Sequence, residues 1–120
     1  MLWLISTLVL LSQCKMEPPA PPGHVPVTSQ FTKQLYDNGC AICHGPDGRG
    51  DTPMGRALDP RPQNLADPEW QKRTSDADIK KIIRSGGEAV GKSAAMPGND
   101  LSEEELNALL KFIRLLKPVQ

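Results

Sequence analysis

The chain has 120 residues, enough for one small domain, and carries 14 basic against 14 acidic side chains. That balance excludes a polycationic nucleic-acid binder and an acidic disordered tail, so electrostatic steering has to come from local patches. Aromatic residues are scarce, with two Trp, two Phe and one Tyr, so the core is thin and calls for a staple or a bound apolar group.

Leu2 to Leu11 is an apolar run broken only by Ser6 and Thr7. It is too short to span a bilayer, which takes about 20 residues, and has the length of a secretory signal's apolar region. Cys14 follows directly after Leu11-Ser12-Gln13. A Leu three places before a Cys resembles the lipobox of bacterial lipoproteins, in which the Cys becomes the acylated N-terminus. Residues 1–14 are therefore read as a signal and lipobox-like segment, with Cys14 as the lipidation site. The match departs from the pattern twice: no Lys or Arg precedes the apolar run, and Gln13 stands where a small residue is usual. A plain signal peptide with an incidental Cys, or a short uncleaved anchor, is the competing use. Residues 15–27 hold Pro18, Pro19, Pro21, Pro22 and Pro26. Such a stretch favours extended polyproline II and reaches roughly 40 Å at about 3.1 Å per residue, the property of a tether. His24, alone in this linker, reads as solvated.

The remaining residues, 28–120, form the domain. A first helix is expected from about Ser29 to Asn38, with Phe31, Leu35 and Ile42 on its apolar side and Lys33 and Asp37 outward. Cys40-Ala41-Ile42-Cys43-His44 follows. This five-residue pattern reads as covalent haem attachment. Two thiols add across the haem vinyl groups as thioethers, and the adjacent imidazole reaches the iron while its second nitrogen donates to a backbone carbonyl. Other uses of a Cys pair fit less well. A thiol redox centre normally follows a strand in a βαβ setting, and no strand pattern precedes Cys40. A structural zinc site needs four ligands, but only Cys14 and His24 remain to supply the others. A disulfide between Cys40 and Cys43 leaves His44 without a purpose.

Between His44 and Asp67 the chain is rich in Gly and Pro and lacks periodicity, as a wrapping loop would be. Ser75 is placed as an N-cap with Asp76 and Asp78 in the first turn, Ile79, Ile82 and Ile83 form a stripe, and Gly86 stops that helix. The last helix begins at Ser102, with Glu105 completing a capping box and Leu101 and Leu106 placed for a hydrophobic staple. Leu106, Leu109, Leu110, Ile113 and Leu116 share one face. Lys111, Arg114 and Lys117 suit the C-terminal end of the helix dipole, and Pro118 closes the element.

Residues 32–117 resemble a class I cytochrome c domain. The likeness rests on the Cys40 to His44 motif, the Gly45-Pro46-Asp47-Gly48-Arg49-Gly50 continuation and a late Met-Pro at Met96-Pro97. It implies an all-α cytochrome c fold, about three core helices packed around one covalently attached haem c, with Tyr36 as the aromatic that meets the last helix. It also implies a distal Met ligand. Met54 is only ten residues past His44, whereas Met96 stands 52 residues on, in a loop bounded by Pro97 and Gly98. Met96 is the expected sixth ligand opposite His44. Pro60 to Leu65 resembles the family segment that covers the macrocycle edge, and Arg56, Arg61 and Trp70 are candidates to meet the haem propionates.

A His/Met-ligated haem points to an electron carrier and not to an enzyme, because both axial positions are filled and thioether ligation raises the reduction potential. The chain is thus read as a periplasmic or outer-face, membrane-tethered carrier that docks briefly with redox partner proteins. Lys72, Lys80, Lys81, Arg84 and Lys92 are a candidate basic rim for that docking. A fixed haem subunit of a larger membrane oxidoreductase is the alternative. A haem sensor or peroxidase-like enzyme would need an open iron site.

Overall fold

The computed structural model describes residues 26–118. The signal segment with Cys14, and the linker with His24 as far as residue 25, lie outside the described residues. Six α-helices follow in order: α1 (Ser29–Gly39), α2 (Ala41–His44), α3 (Pro53–Ala57), α4 (Pro68–Arg73), α5 (Asp76–Ser85) and α6 (Glu103–Leu115), with a 3-10 turn at Glu88–Val90 between the last two. No strand occurs among the described residues, as the all-α expectation requires. No helix among them is long and apolar enough to cross a membrane.

The three longest helices make the frame, with α6 packing against both α1 and α5. Each starts on a side-chain cap. Thr28 accepts from the Phe31 amide, Ser75 from Asp78, and Ser102 from Glu105, whose carboxylate returns to the Ser102 amide. The capping box and the Ser75 cap stand where the sequence put them, because these short oxygen-bearing side chains satisfy amides that have no partner inside the helix. The apolar face of α6 buries Leu106, Leu109, Leu110 and Ile113. Leu101 packs against the same core. Tyr36 of α1 is fully buried, its ring 4.7 Å from that of Phe112 on α6. Its hydroxyl donates to the Gly45 carbonyl at 2.7 Å, so the crossing of first and last helices is bonded to the residue after His44.

Four features depart from the sequence reading. Ile42, placed on the apolar side of α1, is 61 % exposed, because the chain has left α1 and entered α2 by then. The loop after His44 contains α3, and α4 precedes Ser75. Each begins with a capping residue followed by proline, Thr52-Pro53 and Asp67-Pro68, and both are too short for periodicity to register. Arg114 does more than sit near the end of α6. It donates to the carbonyls of Gln71 and Thr74 and to the Asp76 carboxylate, binding α6 to the α4–α5 corner. Finally, α6 stops at Leu115, three residues ahead of Pro118, because Leu116 already takes extended backbone at ψ 132°; Pro118 itself restrains only Lys117.

Replacing Leu109, which is 1 % exposed, with Ala should cost about 2–5 kcal/mol in denaturant unfolding, whereas Leu115→Ala, at a position 74 % exposed, should change stability by less than about 0.5 kcal/mol. Lys80 and Arg84 both bond Glu103 and hold its carboxyl below the usual carboxylate range. A depressed folded value means this contribution is present above the ordinary Glu range and fades as pH falls through the lower one. Melting temperature against pH should therefore lose a small, salt-sensitive acid-side slope in Glu103→Gln.

Candidate haem site

The attachment motif sits at a junction between two helices. The Cys40 amide donates to the Tyr36 carbonyl at 2.8 Å, closing α1. The Cys40 carbonyl then accepts from the amides of Cys43 and His44 at 3.2 and 2.9 Å, opening α2. Within such a turn, positions separated by three and four residues share one side. Cys40, Cys43 and His44 therefore face together, while Ile42 points out. Thr52 holds the turn from below: its hydroxyl donates to the Ile42 carbonyl at 2.8 Å and accepts from the Gly55 amide at 2.9 Å. Neither cysteine is in a disulfide.

All three motif side chains line one cavity of about 430 Å³. Leu65, Ile79, Ile82 and Ile83 give it an apolar wall, and Met96 lines it from the loop after the 3-10 turn. Trp70 and Arg61 line it as well; Arg56 does not. Met54 stands on α3, 48 % exposed and outside the cavity. Of the two methionines in the domain, Met96 alone is brought to the motif. Its loop is pinned to the end of α5. Gly86 ends that helix at φ 80°, a left-handed conformation that suits glycine. The Gly87 amide then donates to the Met96 carbonyl at 3.0 Å, and the Asn99 side-chain amide donates to the Ile83 carbonyl at 3.0 Å.

The donor set fits haem. Nδ1 of His44 lies 3.0 Å from the Gln63 carbonyl oxygen. A carbonyl only accepts, so Nδ1 carries the proton and Nε2 keeps its lone pair for a metal. Burial lowers the His44 pKa, the Gln63 bond opposing this in part, so the neutral ligand form is favoured. Burial pushes the Cys40 thiol up to about 11, opposite to the shift that activates a thiol redox pair. Among the described residues, no three His, Cys, Asp or Glu side chains gather to hold a metal ion, which leaves a zinc module without its ligands.

A family model for cytochrome c matches residues 31–117. The chain belongs to the cytochrome c family. A solved structure, the KustC0563 c-type cytochrome, is similar to it at 34 % identity and a TM-score of 0.58, over 72 % of this chain and 98 % of that one. As a class I cytochrome c, the chain binds covalently attached haem c and serves haem-based electron transfer.

Two contributors to the cytochrome site were not legible beforehand. Gln63 acts through its backbone carbonyl, which leaves no mark on residue type. Thr52 acts through a hydroxyl that the Thr52-Pro53 pair could have flagged as a helix start. The expected basic rim is also redrawn. Lys72 pairs with Glu69 at 3.9 Å, and Lys80 and Arg84 pair with Glu103 at 3.1 and 2.6 Å, leaving Lys81 and Lys92 outside these pairs.

A Cβ added at Gly87 would lie 2.1 Å from the Ser93 carbonyl oxygen, a contact that only backbone movement relieves. Gly87→Ala should therefore displace the Met96 loop and make residues 87–99 more sensitive to limited proteolysis than in the wild type.

Proposed function

We propose that this cytochrome c is a one-electron carrier in which Cys40 and Cys43 hold the haem as thioethers, and His44 and Met96 are the axial ligands. One observation carries this reading: the two thiols, the imidazole and a single methionine line the same cavity. Bound haem supplies a ferric/ferrous couple. His44 offers Nε2, fixed in direction by the Nδ1 bond to Gln63. Met96 offers a soft, neutral thioether, which favours the ferrous state and raises the potential. The apolar wall of Leu65, Ile79, Ile82 and Ile83 keeps water from that couple. With His44 and Met96 both holding a bound haem, no position would be left for substrate, so electron transfer is the chemistry this arrangement supports.

Export rests on the apolar run at Leu2–Leu11 and the tether on Cys14 and the Pro-rich linker. They support a carrier held at the outer face of the cytoplasmic membrane or in the periplasm, exchanging electrons with redox partner proteins within the reach of about 40 Å that the linker allows.

Purified after export, the chain should show a Soret band that survives denaturation, and an intact mass equal to the mature peptide plus one haem. Added acyl mass on the fragment beginning at Cys14 would report lipidation, and its absence would remove the anchor. Met96→Ala should lower the reduction potential and let carbon monoxide bind the ferrous protein readily. A silent Met96→Ala, or a folded exported chain at bare peptide mass, overturns the ligand assignment.

A further inference from the structure

The helix α2 is only four residues long, so its closing carbonyls have no partner inside it. One short segment supplies them. The Gly50 amide donates to the His44 carbonyl at 2.7 Å. The Thr52 hydroxyl donates to the Ile42 carbonyl at 2.8 Å and reaches the Cys43 carbonyl at 3.2 Å, while accepting from the Gly55 amide at 2.9 Å. The carbonyls of Ile42 and Cys43 belong to the peptides on either side of Cys43. Holding them fixes the directions in which the Cys43 and His44 side chains leave the backbone. The fit is close: a Cβ at Gly55 would lie 2.5 Å from the Cys43 carbonyl oxygen. The same segment also carries the loop that provides the imidazole's partner. The Leu65 amide donates to the Gly48 carbonyl at 2.7 Å, and a Cβ at Gly50 would lie 2.7 Å from the Pro62 carbonyl oxygen. Residues 48–52 thus stand between the His44 backbone and the Gln63 carbonyl that lies 3.0 Å from Nδ1, and they set the span between the two.

We propose that Thr52 is a positioning residue for the iron ligand: by donating to the attachment turn, it sets the strength of the His44–Gln63 hydrogen bond and so the electron-donating power of the imidazole. The proposal rests on His44 being the haem ligand. A strong bond from Nδ1–H to a carbonyl makes Nε2 more basic, and a more basic ligand favours ferric iron. Without the hydroxyl the turn relaxes, the Nδ1 bond lengthens, and the balance moves towards ferrous iron. Thr52 also caps α3, but the two roles are separable. Capping needs only an acceptor, whereas the turn needs a donor.

The test is redox titration of the exported full-length holoprotein, together with hydrogen exchange of the His44 Nδ1 proton followed by NMR in the ferrous state. Thr52→Val removes donor and cap at nearly constant volume. Its potential should rise, and Nδ1–H exchange should quicken about fivefold, the protection that one ordinary hydrogen bond provides. Thr52→Ser keeps the hydroxyl and should match the wild type in both. Thr52→Asp caps α3 but cannot donate, so thermal stability should return while exchange stays as fast as in Thr52→Val. Its added charge acts on the iron directly, so exchange alone is read there. Ser102→Ala, which loses the α6 cap, controls for stability and should move neither quantity. An unmoved potential or exchange rate in Thr52→Val overturns the proposal. So does slow exchange in Thr52→Asp, which would leave capping as the whole role, or a Thr52→Ser that behaves like Thr52→Val. Should Thr52→Val not assemble, exchange in Thr52→Ser and Thr52→Asp decides. Each of these failures leaves the covalent haem and its Soret band in place, whereas a wild type without haem fails the underlying haem reading itself.

Discussion

The hydrogen bond from His44 to the Gln63 carbonyl settles three matters together. It fixes the tautomer, so Nε2 is the nitrogen free to bind metal. It fixes the ring's orientation, so that lone pair has a direction. It also joins the attachment turn to the loop that closes one side of the cavity, where Gln63 lies between Pro62 and Leu65 of the lining. The turn is held on its other sides by the Tyr36 carbonyl, by the Thr52 hydroxyl and by the Tyr36 hydroxyl on Gly45. Five residues carrying three reactive groups would be mobile in isolation. Here the turn is bonded to itself, to α1, to Thr52 and, through the His44 ring, to Gln63.

The opposite side of the cavity is built by other means. Met96 lies in a loop without regular structure, and its backbone carbonyl is bound by the amide of Gly87 just past α5. The placement of the methionine therefore depends on how α5 ends. Gly86 takes the left-handed turn, Gly87 allows Ser93 to approach closely, and Asn99 returns the chain to the Ile83 carbonyl. The His44 side of the cavity is held by a helical turn and the Met96 side by a helix terminus, and α6 packs on both α1 and α5.

How much of this could be read from the sequence follows the range of each interaction. The attachment motif, the Ser75 and Ser102 caps, the Gly86 stop and the apolar face of α6 are encoded within a few residues, and they are found where expected. The family resemblance implies a late Met, its separation from His44 and its Pro-Gly neighbours single out Met96, and the structure brings Met96 to the motif's cavity. What the sequence obscured was long-range or carried by the backbone. The carbonyl of Gln63 could belong to any residue. Ile42 looked apolar and inward because helix periodicity was extended across a junction. The basic rim was drawn from the positions of positive residues alone, and Glu103, 23 residues beyond Lys80, had already claimed two of them.

The binding of α6 to the α4–α5 corner has a consequence for the order in which this molecule completes itself. Arg114 holds the carbonyls of Gln71 and Thr74, and the Gln71 side chain donates to the carbonyls of Leu65, Ile113 and Leu116. The corner that carries Trp70 is thus fastened by residues made 40 to 45 positions later. During synthesis the thiols and imidazole emerge early, and the wall beside them gains its buttress only when the carboxyl end arrives. A polypeptide clipped ahead of Arg114 would keep every haem-binding residue and still lack a closed wall to protect them.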